Sequence, residues 1–285
     1  MNTTNQINLA NGSALGYAEY GSNLGFPVLF FHGFPGSRLE AEKLHQAALK
    51  MKVRLIGLDR PGMGLSTPKK NRTLLSWAED IAQFAEALNL KTFSIVGHSG
   101  GAPYVAACAY RIPEKLHKAV IVSGIAPLSY PEALSSLSKS QKQMHWMIRY
   151  CPIVLKLMMR LSFKALENPN RLNKMLKQLP EIDAKLLADN HFKDLMVQSL
   201  KEAFRQNASE VVNDFKLFLK PWGFDLNAIR CPFVVWQGGK DQQAPVKHAE
   251  IYAQQVPEAN YVFLEEEGHI SILHNYGEQI LTSAL

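Results

Sequence analysis

Six short apolar runs recur along the chain, at residues 27–33 (PVLFFHG), 53–59 (VRLIGLD), 93–99 (FSIVGHS), 118–124 (KAVIVSG), 232–239 (PFVVWQGG) and 261–268 (YVFLEEEG). They are rich in β-branched and aromatic residues, and each has the length of a buried strand. Helical patterns fill intervals between them, at residues 76–88, 104–111 and 246–255. Strands that alternate with helices predict a parallel sheet covered on both faces. The opening stretch, INLANGSALGYAEYG, reads instead as a hairpin at the sheet edge with Asn11 and Gly12 in its turn.

The pattern changes between about Leu128 and Trp222. This region predicts helices, contains no convincing strand, and is punctuated by Pro152, Pro169, Pro180 and Pro221. The expected organisation is therefore a core of residues 1–127 and 223–285 with a helical cap, residues 128–222, inserted as a lid. No internal repeat or low-complexity segment points to a solenoid or an array.

At 285 residues and 47% hydrophobic content, the chain has enough apolar material for one large domain carrying a subdomain. Its net charge of +6 is concentrated in the insertion, which holds about 15 Lys and Arg against about 9 Asp and Glu. Lys156, Arg160 and Lys164 recur beside Leu157, Leu161 and Ala165, which reads as the solvated face of an amphipathic helix. With no nucleic-acid motif beside the charge, nucleic acid is not an expected partner. Cys108, Cys151 and Cys231 are odd in number and far apart, so neither a disulfide framework nor a zinc site is expected. The polar N-terminal segment and the absence of a run of about 20 apolar residues lead to a cytoplasmic expectation, with no membrane span. Monomer and homodimer both remain open.

The stretch SIVGHSGGAP, residues 94–103, carries the chemistry. An apolar run stops at Gly97, Ser99 stands between glycines 97 and 101, and an alanine-rich helix pattern follows at once. A strand, a sharp turn and a helix are what a nucleophile elbow requires, with glycine where side chains would collide. A phosphate-binding turn is disfavoured, since the Walker lysine and the dinucleotide fingerprint are both missing.

With GHSGG, the segments FFHGFPGS (30–37) and DRPGMGLS (59–66) complete a set of three motifs that resembles the α/β-hydrolase family over most of the chain outside the insertion. The resemblance implies an eight-stranded, mostly parallel sheet flanked by helices, and a Ser, acid, His triad in that chain order. A serine hydroxyl needs an adjacent general base. His269, just past the last predicted strand, takes that role, with an expected pKa near the ordinary histidine value of about 6.5. Asp241, just past the strand at 232–237, is the expected acid, with Asp225 or the glutamates at 265–267 next in line. Asp59 is read as holding its own loop, and Glu265 to Glu267 as strand-end, solvated positions.

The backbone amides of Phe34 and Gly100 are the expected oxyanion donors. His98 is read as packing under the elbow and His32 as bracing the oxyanion loop. His45, His117, His145, His191, His248 and His274 have no partner legible in the sequence. Phe34, His98, Met144, Met147 and Trp222 are candidate substrate contacts, and Trp146, Met158 and Met159 are further lid residues able to line an apolar pocket. No cofactor or metal is implied. The expected activity is hydrolysis of a carboxylic ester or similar acyl substrate through an acyl-enzyme. Carbon–carbon bond hydrolysis, aminopeptidase or perhydrolase chemistry, and a ligand receptor on the same fold, stand as alternatives.

Overall fold

The computed structural model describes residues 1–165, 176 and 178–285. Pro169 lies outside the described residues, as do the side chains of Lys164 and Ala165. Eight strands form one sheet: β1 Asn2–Asn8, β2 Ala14–Gly21, β3 Phe26–Phe31, β4 Val53–Leu58, β5 Phe93–His98, β6 Leu116–Val122, β7 Phe233–Gly238 and β8 Asn260–Leu264. Their spatial order is β1-β2-β4-β3-β5-β6-β7-β8; β2 runs antiparallel to both of its neighbours, β1 and β4, and every other pair is parallel. The predicted hairpin is present, and Gly12 takes the left-handed φ of 81° in its turn.

Alternation along each strand divides the core in two. Leu29, Phe31, Ile56, Leu58, Ile95, Ile121 and Val235 face one layer, with helices α2 (Leu74–Ala87) and α3 (Ala102–Arg111). Val28, Phe30, Leu55, Val96, Val120 and Trp236 face the other. That second layer takes α1 (His45–Lys50) and, from the C-terminus, α11 (Ser271–Asn275) and α12 (Gly277–Ala284). Helix α10 (Val246–Gln255) joins the first layer through Ala249, Ile251 and Tyr252. Helix α2 begins two residues before the predicted start, because Thr73 and Ser76 form a reciprocal cap there.

Several apolar runs end before the predicted boundary. His32, Asp59, Ser99 and Ser123 lie just past the ends of their strands, in loops at the carboxyl edge of the sheet. The largest difference is at residues 261–268, where β8 stops at Leu264 and Glu265 to Glu267 turn back across β7. Gly238 and Gly239 permit that crossing, since a Cβ on Gly239 would lie 2.5 Å from the Glu265 carbonyl oxygen.

Between β6 and β7 the described residues form no strand but, besides a 3-10 turn at Leu226–Ala228, six α-helices: α4 Pro131–Ser136, α5 Lys139–Tyr150, α6 Pro152–Ala165, α7 Glu181–Ala188, α8 Asn190–Ala203 and α9 Ala208–Leu219. Ile148, Leu155 and Val212 form a small core of their own where α5, α6 and α9 meet. The α6 pattern departs from the sequence reading. Leu155 is buried and Met159 packs on the small core, while Leu157 and Leu161 are each 58% exposed. No helix among the described residues is long and apolar enough to cross a membrane.

Candidate active site

Ser99 follows β5 directly and has φ of 53°, in the left-handed region that a serine seldom occupies. Holding it there costs about 1–3 kcal/mol, supplied by the packing on either side of the turn. A Cβ on Gly97 would lie 2.5 Å from Val105 Cγ2, and one on Gly101 would run into the Phe31 carbonyl oxygen. Helix α3 therefore leaves the turn flush against β3 and β5, with the serine raised at the edge of the sheet.

Asp241 and His269 come from loops after β7 and β8, and strand pairing brings them together. The His269 Nδ1 donates to Asp241 Oδ2 at 2.8 Å, and Asp241 Oδ1 accepts from the Gln243 and Ala244 amides at 2.8 and 2.9 Å. Burial by itself would raise the Asp241 carboxyl, but the His269 ring and these amides outweigh it and hold the pKa below the ordinary value. Burial pulls the His269 ring down, yet Asp241, with help from Asp183 and Glu40, carries its pKa above the ordinary histidine value. That corrects the sequence expectation of an unshifted base. The alternative acids Asp225, Glu265 and Glu266 are exposed.

Phe34 and Gly100 are adjacent: a Cβ on Gly100 would lie 3.1 Å from the Phe34 amide nitrogen. The Phe34 ring stacks on Phe215 of α9 at 4.6 Å and meets Phe218 edge-on at 5.8 Å. His32 is fully buried, donates from Nδ1 to the Gly33 carbonyl at 2.8 Å, and receives the Arg60 amide at Nε2. Burial, reinforced by the Arg60 cation, pushes its pKa down to about 3, so it braces this loop as a neutral ring.

His98 does more than pack. Its Nε2 donates to the His269 carbonyl at 2.9 Å, and its Nδ1 meets Glu40 Oε1 at 2.6 Å. Glu40 also accepts the Gly33 amide at 2.7 Å and pairs with Lys43 at 3.3 Å. Burial would raise the Glu40 carboxyl, but Lys43 and then His98 hold it well below the usual range. One carboxylate thus joins the loop before Phe34, the elbow histidine and the segment carrying His269.

Two further acids reach the core from the helices between β6 and β7. Asp183 of α7 is fully buried and accepts the amides of His269, Ile270 and Ser271 at 3.0, 3.0 and 2.9 Å. Asp214 of α9, also fully buried, takes Arg60 Nε at 2.9 Å and the Tyr104 hydroxyl at 2.5 Å. The sequence reading missed Glu40, Asp183 and Asp214. A signal existed for two of them: Asp183 shares a helix face with Leu187, and Asp214 lies in register with Val211 and Phe218. A charge on an apolar stripe demands a buried partner.

Other expected roles change. Glu267 is buried and accepts from Asn275 at 3.1 Å rather than being solvated. Asp59 holds its own loop through the Leu65 amide at 2.9 Å and also binds Arg38. His45 accepts the Gly21 amide at 3.0 Å, His117 donates to the Leu285 carbonyl at 2.6 Å, and His248 accepts the Ala126 amide at 2.9 Å. Desolvation pushes the His248 pKa down to about 4.

Ser99 and His269 open on one cavity of about 570 Å³. Phe34, His98 and Met144 line it as expected, with Met158, Met159 and Leu195 from the helices above. Two candidate contacts lie elsewhere. Met147 packs on the small core of Ile148 and Leu155, and Trp222 is buried beside Phe224 and Tyr252. Trp146 points away as well, at 53% exposure.

Residues 27–147, which include the HG loop, the DRPGMGLS loop and the elbow, match the sequence profile of a family described as alpha/beta hydrolase fold. An esterase from Rhodococcus sp. has a similar structure, with a TM-score of 0.72 and 17% identity over 98% of each chain. The chain has the α/β-hydrolase fold. Among curated relatives, the chain is 33% identical over 124 residues to a non-heme chloroperoxidase of Streptomyces lividans, covering 43% of this chain and 45% of that one. It is 32% identical over 125 residues to a bifunctional esterase/perhydrolase of Acinetobacter calcoaceticus, again covering 43% and 45%. The matched stretch thus spans about half the length of these two relatives.

Proposed function

We propose that this protein is a serine hydrolase that cleaves a carboxylic ester, or a similar acyl substrate, through Ser99, His269 and Asp241. The observation that carries the proposal is a left-handed Ser99 at the end of β5, opening on the same apolar cavity as a His269 already bonded to a buried Asp241.

In this reading Ser99 Oγ attacks the carbonyl carbon while His269 Nε2 takes its proton. The carbonyl oxygen gains the negative charge and accepts from the Phe34 and Gly100 amides, each worth about 3–4 kcal/mol by the usual effect of losing one donor. The intermediate collapses as the protonated His269 gives its proton to the leaving alkoxide, which departs as an alcohol. Water, deprotonated by the same ring, then attacks the acyl carbon, and the ring returns that proton to Ser99 Oγ as the bond to the acyl group breaks and the acid leaves. Asp241 keeps the Nδ1–H tautomer and stabilises the imidazolium.

The cavity supports an apolar acyl group, since methionine, leucine and phenylalanine side chains surround the few polar groups near the serine. The helices between β6 and β7 act as its lid, with residues 1–127 and 223–285 as the core and 128–222 as the cap. The similarity to a chloroperoxidase and to an esterase/perhydrolase favours one second reading, in which hydrogen peroxide replaces water in the last step and a peracid leaves. A panel of nitrophenyl esters of increasing acyl length tests the proposal, with peroxide present in a parallel series. Expected is turnover that rises with chain length and disappears in Ser99→Ala. Equal turnover by Ser99→Ala contradicts it, and peracid formation selects the second reading.

A further inference from the structure

Helices α5 and α6 carry a face that the rest of the described chain leaves uncovered. From Lys139 to Ala165 the sequence holds six cations, at 139, 142, 149, 156, 160 and 164, and no Asp or Glu. Helix α6 turns Leu155 inward, while Ile153, Val154, Leu157 and Leu161 are 82, 51, 58 and 58% exposed. At 3.6 residues per turn these four fall within an arc of roughly 100°, with Lys156 and Arg160 along its edge. On α5, Trp146 and Tyr150 stand one turn apart, 53 and 61% exposed, with ring centroids 5.6 Å apart. The Arg149 guanidinium lies over the Tyr150 ring at 5.6 Å.

Contiguous exposed apolar surface calls for a partner, and the charges around it select which. A second copy of this chain meeting this face across a two-fold axis would set these cations against their own kind. A bilayer containing anionic lipid satisfies both features. Leucine, isoleucine and the Trp and Tyr rings enter the boundary between headgroups and acyl chains, while Lys and Arg meet the lipid phosphates. On α6 the face borders the cavity, because Met158, next to Leu157, lines the cavity and is still 48% exposed.

We propose that the α5–α6 face docks this protein on membranes containing anionic lipid and sets the mouth of the cavity against the bilayer. An apolar acyl substrate then passes from the membrane to Ser99. That last step rests on the hydrolase reading, whereas the docking does not.

Vesicles of phosphatidylcholine alone, and of phosphatidylcholine with about one third phosphatidylglycerol, test it by co-sedimentation of the full chain and by tryptophan emission. Trp77, Trp222 and Trp236 are buried at 2, 5 and 6% exposure, so a blue shift on binding reports Trp146. Expected is binding to the anionic vesicles that weakens with salt. It should weaken about tenfold or more in Lys156→Glu/Arg160→Glu and in Leu157→Ser/Leu161→Ser. Both double variants change exposed positions outside the cavity, so each retains the wild-type melting temperature and turnover of a short soluble ester. Equal binding to both vesicle types, or none to either, overturns the proposal. So does a concentration-dependent dimer that Leu157→Ser/Leu161→Ser dissolves, which assigns the face to a second copy. Vesicle binding by a wild-type protein that turns over no ester leaves the docking in place and removes the hydrolase reading instead.

Discussion

Asp183→Asn tests whether the helices above the cavity hold the base in place. Asp183 Oδ1 accepts two amides, those of Ile270 and Ser271, and Oδ2 accepts the His269 amide. An asparagine keeps its oxygen where two donors converge, so its NH₂ group replaces Oδ2 and confronts the His269 amide. The two remaining bonds fall from charge-assisted to neutral strength, a loss of about 1 kcal/mol each, and the third is lost together with its buried donor. About 3 kcal/mol of stability should disappear, which lowers the melting temperature by roughly 6 °C in a chain of this size.

The catalytic signature is more specific. The Asp183 charge is among those that raise the His269 pKa, so neutralising it shifts the acid limb of the pH–rate profile to lower pH. Displacement of the His269 backbone at the same time lowers kcat more than it raises KM. A full pH profile of kcat and kcat/KM on one soluble ester, together with thermal melts, reads all three effects. A variant with wild-type melting temperature, kcat and acid limb would refute the reasoning. A drop in melting temperature alone would make Asp183 a purely structural residue.

Asp241→Asn should reduce kcat by about 10³–10⁴-fold with little change in substrate affinity, measured by steady-state kinetics, because the shape is kept and the charge that stabilises the imidazolium is lost. In the proposed mechanism turnover requires neutral His269, whose pKa is raised, so wild-type activity should fall as pH drops with a midpoint above the ordinary value of about 6.5. An acid limb centred below that value would count against the Asp241–His269 pairing. Gly101→Ala should fail to accumulate as folded protein or should lose the elbow, as seen by circular dichroism and by activity, since its Cβ collides with the Phe31 carbonyl.

The sheet was legible because its central strands are buried on both faces and leave continuous apolar runs, and because glycines mark the turns where helices press against it. Ser99, His269 and Asp241 were legible for a related reason: each stands just past such a run, so chain order placed them on one edge. The ends of the runs were not. Glu265 to Glu267 continue a strand-like pattern, and only the bare backbone of Gly238 and Gly239 lets the chain fold back there. Asp183 and Asp214 stayed hidden because their partners, backbone amides, arginines and a tyrosine hydroxyl, are far away in sequence, and Glu40 because its pairing with nearby Lys43 looks like an ordinary surface pair while its link to His98 spans 58 residues. The residues of the helices between β6 and β7 divided on packing detail that periodicity does not carry. Met144 and Met147 are three residues apart on one helix, yet one lines the cavity and the other packs on the small core where α5, α6 and α9 meet.

The central claim, that Ser99 is a nucleophile activated by His269, is tested most directly by intact-mass spectrometry of the folded protein after incubation with a fluorophosphonate. The account predicts a single adduct, mapped to Ser99, that is absent in Ser99→Ala and forms far more slowly in His269→Ala. A folded protein that stays unmodified, or an adduct on another residue, would contradict it.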